Sequence, residues 1–205
     1  MNKLILLVKK PGHVYKCLIS YIKYGLRAKE FHYSNFIERP LELKGIQNLS
    51  LGKGAFIRKN AYINILPFTG ESHVEFKMGD HSHLNYSAHV IASKKIIIGK
   101  DCNIAPYVYI ADNTHSYKNI DLPIKSSPIQ QLRPVSIGDG TWIGTHAAII
   151  GCSIGKHCVI GANSVVTKDI PDYCVAVGIP AKIIKRYDFS TQSWRKTNPQ
   201  GEFIN

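Results

Sequence analysis

Residues 137–166 read IGDGTW-IGTHAA-IIGCS-IGKHCV-IGANSV-V, and their period is six. Ile137, Ile143 and Ile149 are six apart, and so are Ile154, Ile160 and Val166, with a single step of five between the two runs. Gly138, Gly144, Gly155 and Gly161 each follow one of these aliphatics directly. A six-residue unit is a short strand and a corner: the aliphatic points inward, the glycine eases the bend, and a small residue follows four positions on. Three such units close one triangular coil, and stacked coils bury a continuous aliphatic column.

The same period extends toward the N-terminus. It reads IGKDCN and IAPYVY from Ile98, MGDHSH and LNYSAH from Met78, and LGKGAF and IRKNAY from Leu51. Cys102 and Cys158 fall in the small-residue slot that Ala55, Ala61, Ala88, Ala147 and Ser164 fill elsewhere, so packing accounts for both thiols. A βαβ arrangement needs amphipathic helical stretches between strands, and residues 51–170 contain none. The expected fold is all-β, a parallel β-helix over residues 51–180. Residues 1–50 are expected to form a helical capping segment, and residues 181–205 a short basic element with a fraying polar tail. Residues 66–77 interrupt the array, and residues 112–134 leave it as a long excursion, the kind of loop that carries function on a rigid scaffold. The period leaves the hand of the coil open, and the general crossover rule would favour a right-handed one.

Composition narrows the functional classes. The chain has 205 residues, 44% hydrophobic and 20% charged, which excludes global disorder. Its net charge of +12 suits a polyanionic partner: nucleic acid, an anionic membrane or a phosphorylated cofactor. The five cysteines include no CxxC and none at zinc-finger spacing, which reads as reduced thiols in a cytoplasmic protein. The apolar run at residues 4–8 is too short for a signal peptide or a membrane span.

Residues 134–186, with their WIG, IGANSVVTKDIP and GIPAK signatures, resemble the hexapeptide-repeat acyltransferases, in particular the galactoside and maltose O-acetyltransferases and their relatives in surface-polysaccharide synthesis. The resemblance implies a left-handed parallel β-helix, a homotrimer, and acetyl-CoA as donor in a groove between subunits, with a sugar or glycan as acceptor. It implies that His115, in ADNTHSY, is the general base: a sugar hydroxyl attacks a thioester only when a positioned base takes its proton, and neutral imidazole suits that task near pH 7. Asp112 and Asn113 are candidates to orient the ring. The resemblance puts the Thr145 amide near the thioester, where a backbone N–H stabilises the developing oxyanion. Trp142 should point outward, flanking the cofactor arm or packing on a neighbouring subunit. Ala162, Thr167 and Lys168 match positions that contact CoA, and Lys182, Lys185 and adjacent Arg186 match basic residues that reach its phosphates. Asn85 matches an acceptor-contacting asparagine; Ser93 stands where the galactoside enzymes carry an acidic acceptor residue, which opens the identity of the sugar.

Three rival readings differ in what they require. A zinc-dependent carbonic anhydrase on the same fold needs converging histidines, two of them five residues apart, and no pair here has that spacing, so no metal is expected. A non-catalytic basic module would bind nucleic acid or membrane, but no nucleic-acid motif is present. An N-acetyltransferase acting on an amino sugar or an antibiotic amine shares these hexads and stays open. At the N-terminus, Val14, Leu18, Tyr21, Ile22 and Gly25 share one helical face, and residues 1–29 carry Lys3, Lys9, Lys10, Lys16, Lys23, Arg27 and Lys29 without an acid. Such a helix either caps the open end of the coil or lies on an anionic membrane at the cytoplasmic surface; capping is the preferred expectation.

Overall fold

Leu51, Met78, Ile98, Ile137 and Ile154 are successive register partners in one parallel ladder of the computed structural model, which describes residues 11–204. Ile57, Leu84, Ile104, Ile143 and Ile160 form a second column. Ile63, Val90, Ile110, Ile149 and Val166 form a third. All fifteen are buried. Burial of each such side chain is worth about 1.5–3 kcal/mol, so the period itself specifies the core. The first face of the parallel β-helix runs from Glu30–Phe31 to Ser153–Ile154, the second from Phe36–Ile37 to Cys174–Gly178, and the third from Glu42–Lys44 to Val165–Val166.

The glycines beside the aliphatics serve a different purpose from the one the period suggests. A Cβ at Gly138 would lie 2.5 Å from the backbone N of Lys156, and one at Gly144 would lie 2.6 Å from that of Ala162. These glycines let successive coils approach at their corners. The left-handed backbone falls two positions later, at His81, Asp101, Tyr107, His146, His157 and Asn163, with φ between 52° and 62°. Between the first and second faces the corners are also sealed. The Asp80, Asp139 and Asp172 carboxylates accept the N–H groups of Lys53, Lys100 and Lys156 in the preceding coils at 2.7–2.9 Å.

The β-helix starts earlier than the hexads suggest. Glu30–Phe31, Phe36–Ile37 and Glu42–Lys44 pair in parallel with the coil that begins at Leu49, so a first coil lies inside the stretch expected only to cap. Phe31, Ile37 and Leu43 keep the period of six, but no glycine marks their corners. Helix α1 (Pro11–Ser20) and a π-helical turn (Tyr21–Gly25) lie against this coil. The Ser20 hydroxyl accepts the N–H of Ile37 at 2.8 Å, satisfying an edge group of the outermost strand. Cys17, Ser20 and Tyr24 form the buried side of this segment, whereas Val14, Leu18 and Ile22 from the expected packing stripe face solvent. The part of the basic segment at residues 1–10 lies outside the described residues.

Residues 181–204, expected to be a short element with a fraying tail, form paired strands. Ala181–Asp188 turns back antiparallel on Cys174–Gly178, Ser193–Lys196 pairs with it in turn, and Thr197 bridges Phe203. Asp188 holds the hairpin by accepting from the Ser190 hydroxyl at 2.6 Å and from Arg195 at 2.8 Å.

Candidate functional site

The excursion leaves the third face after Ala111. Its first strand, Asn113–His115, pairs antiparallel with Ile129–Gln131, so His115 is opposite Ile129 with its ring exposed. The root of this ribbon is bolted to the scaffold. The fully buried Asp112 carboxylate accepts the N–H groups of Ser93 (2.7 Å), Lys94 (2.9 Å) and Lys95 (2.7 Å). Asn113 donates to the carbonyl of Ile91 at 3.0 Å and to Asp112 at 3.1 Å. Gln131 donates to the carbonyl of Asp112 at 2.7 Å and accepts from the Thr69 hydroxyl at 2.7 Å. Asp112 and Asn113 therefore fix the backbone that carries His115, and neither is hydrogen-bonded to its ring. Ser93 is fully buried, with its N–H on Asp112. Gln131 and Thr69 went unnoticed in the sequence because their partner is a backbone carbonyl and each other, a pairing that no local motif encodes.

A second cluster lies on the corner between the second and third faces. Asn85, Ala105, Gly144 and Gly161 occupy equivalent corner positions, followed by Tyr86, Pro106, Thr145 and Ala162. The Asn163 N–H donates to the Thr145 carbonyl at 2.9 Å, joining the two coils. The Thr145 hydroxyl is spent on the Pro106 carbonyl at 2.6 Å. No carboxylate seals this corner: among the described residues, nothing accepts from the N–H of Thr145 or of Ala162. Two unpaired amides in successive coils can hold the carbonyl or thioester oxygens of an extended ligand. Trp142, half exposed, lies beside them on the outer row of the second face between Asn103 and Val159. Asn85 donates to Asn103 at 2.9 Å and to the Ile104 carbonyl at 2.8 Å. Tyr107 and His146, at left-handed corner positions of successive coils, stack with ring centroids 4.8 Å apart, a pairing the hexads do not announce.

The basic residues divide. Lys182, Lys185 and Arg186 are exposed on the C-terminal strand opposite Val177, Val175 and Cys174, at the end of the second face. Thr167 and Lys168 are exposed beyond the third face, on the edge from which the excursion departs two coils earlier. Within one chain, then, His115 and Thr145 lie on opposite sides of the third face, whose strands of about three residues span roughly 10 Å. Among the described residues no group of three or more His, Cys, Asp or Glu side chains is placed to hold a metal ion. All five cysteines are free and buried, and burial pushes the Cys152 and Cys158 thiols up to about 11.

Residues 134–168 match the family described as the hexapeptide repeat of succinyl-transferase. WbbJ of Escherichia coli K12, named for lipopolysaccharide biosynthesis O-acetyl transfer, is 38% identical over 125 residues, 57% of this chain and 63% of that one, so this match spans less than two thirds of the relative. AntD, an N-acyltransferase from Bacillus cereus solved with dTDP and 3-hydroxybutyryl-CoA, superposes with a TM-score of 0.69 at 16% identity, covering 84% of this chain and 90% of that one; the likeness is one of fold. Galactoside O-acetyltransferase of Escherichia coli K12 is 30% identical over 167 residues, which are 78% of this chain and 77% of that enzyme. With the hexapeptide-repeat match over residues 134–168 and this relative matched over more than two thirds of both chains, this chain belongs to the hexapeptide-repeat acyltransferase family.

Proposed function

We propose that this protein transfers an acetyl group from acetyl-CoA to a hydroxyl of a sugar or glycan precursor, in a groove built between the copies of a left-handed, trimeric β-helix. The observation that carries the reading is the open corner. At the corners between the first and second faces aspartates take the N–H groups of Lys53, Lys100 and Lys156, whereas the Thr145 and Ala162 amides of two adjacent coils have no carboxylate over them. Those amides would take the donor's carbonyl oxygens, Trp142 would flank its arm, and Lys182, Lys185 and Arg186 would meet its phosphates as charge-assisted donors. Thr167 and Lys168 would hold the donor from the other edge. Bound acetyl-CoA supplies an acetyl group already activated as a thioester.

The chain's own contribution is position and a base. His115 on its bolted ribbon would accept the proton of an acceptor hydroxyl, with Asn85 on the acceptor side. Because one chain separates His115 from Thr145 by the width of the third face, a complete site needs the ribbon of one copy over the open corner of the next. The exposed Tyr117, Ile120, Leu122 and Ile124 on the excursion supply apolar surface for that contact. Cyclic symmetry would then give three equivalent grooves. Acetyl-CoA as donor places the reaction in the cytoplasm.

The test is acceptor-dependent thiol release from acetyl-CoA across free, nucleotide-linked and lipid-linked sugars, with the products read by mass spectrometry. O-acetylated sugar supports the proposal. Products acetylated only on amines would transfer the reading to an N-acetyltransferase, and no acceptor-dependent release would refute it.

A further inference from the structure

The segment over residues 12–29 packs through Cys17, Ser20 and Tyr24 and turns Tyr15, Leu18, Ile19, Ile22 and Leu26 away from the protein. Tyr15, Leu18, Ile19, Ile22 and Leu26 are each between 44% and 72% exposed, a concentration that monomeric soluble surfaces rarely carry without use. Between them stand Lys16, Lys23 and Arg27, exposed and without an ion-pair partner among the described residues; the Lys16 ammonium lies 5.9 Å from the centre of the Phe36 ring and that of Lys23 5.1 Å from the centre of the Tyr24 ring, so both charges are held at the protein's rim. No acid occurs before Glu30.

We infer that this helical segment docks the protein on an anionic phospholipid bilayer, its apolar ridge entering the interface and its lysines and arginine meeting the headgroups. Charge chooses this occupant. A second copy of the same segment would bring like charges together with no acid to offset them, at a cost in binding. An anionic surface matches them, and long basic side chains can lay their methylenes along the apolar ridge while their heads reach phosphate. No helix among the described residues is long and apolar enough to cross a membrane, which fits a segment that lies in the surface plane. The inference is independent of the acetyl-transfer reading, since the binding needs neither donor nor acceptor.

The full chain is mixed with vesicles of phosphatidylcholine, or of phosphatidylcholine and phosphatidylglycerol in roughly equal parts, and sedimented at low and high salt. The intact protein is expected to sediment with the anionic vesicles at low salt, to be released at high salt, and to ignore the neutral ones. Lys23→Glu with Arg27→Glu should weaken partition about thirtyfold or more. Leu18→Ser with Ile22→Ser should weaken it about tenfold, with melting temperature and mass by light scattering unchanged. Absent binding at low salt, equal binding to neutral vesicles, variants that bind as the parent does, or variants that change the mass of the assembly would each overturn the inference. If a variant fails to fold, the salt dependence of the intact protein decides.

Discussion

The Asp112 carboxylate accepts the backbone N–H of Ser93 at 2.7 Å, tying the root of the excursion to the coil beneath it. With Lys94 and Lys95 it gathers three N–H groups on one fully buried carboxylate. Asp112→Asn replaces an acceptor oxygen by a donor against those N–H groups. It should cost about 2 kcal/mol or more of stability, and it should slow turnover by loosening the strand that carries His115. Urea unfolding and steady-state kinetics measure both; an unchanged midpoint would show that the contact anchors nothing.

The exposed lysines make a different prediction. Lys168→Ala, Lys182→Ala and Lys185→Ala together should raise KM for acetyl-CoA by about tenfold or more while kcat changes little, because phosphate contacts are equal in ground and transition states. Melting temperature should hold, since all three side chains are solvated. An unchanged KM would reduce them to an ordinary basic surface.

The cysteines should be chemically silent in the native protein. All five are buried, Cys102 and Cys158 in the small-residue slots of their hexads and Cys17 on the inner side of helix α1, and burial holds the Cys152 and Cys158 thiols at about 11, so little thiolate exists near neutral pH. A chromogenic disulfide reagent should find no reactive thiol before denaturation and all five afterwards. Rapid reaction of the folded protein would contradict the packing.

The C-terminal hairpin should show an acid limb. Hydrogen bonds from Ser190 and Arg195 hold the Asp188 carboxyl well below the usual carboxylate range. A depressed folded-state value contributes stability that is complete above the unfolded value, about 3.9, and that is lost as pH falls through the folded one. The melting temperature of the parent minus that of Asp188→Asn should therefore be positive at pH 7 and shrink below about pH 4. A difference independent of pH would rule out this linkage.

The parts of the fold that the sequence made legible are those that a single coil repeats. Ile137, Ile143 and Ile149 announce themselves because each is buried for the same reason as its neighbour six residues away. The first coil escaped because Phe31, Ile37 and Leu43 keep the period without glycine corners; Gly138 and Gly144 are needed only where coils approach within a Cβ of one another. The outward turn of Leu18 and Ile22 escaped because helical periodicity gives a face but not its direction. In the fold the inward side is the one that carries Ser20, which accepts the edge N–H of Ile37. At the candidate site, His115 and Thr145 are proposed through motif alone, whereas the bolts at Asp112, Gln131 and Thr69 join residues far apart in the chain. Ser93, which stands where the galactoside enzymes carry an acidic residue, is fully buried with its amide on Asp112, and its sequence position gave no sign of that burial.

The most direct test of the account is the turnover of His115→Ala with acetyl-CoA and an acceptor sugar, measured beside its affinity for acetyl-CoA. If His115 is the base that takes the hydroxyl proton, turnover falls about 10²–10⁴-fold while donor affinity is unchanged. Near-normal turnover in the variant would contradict the account.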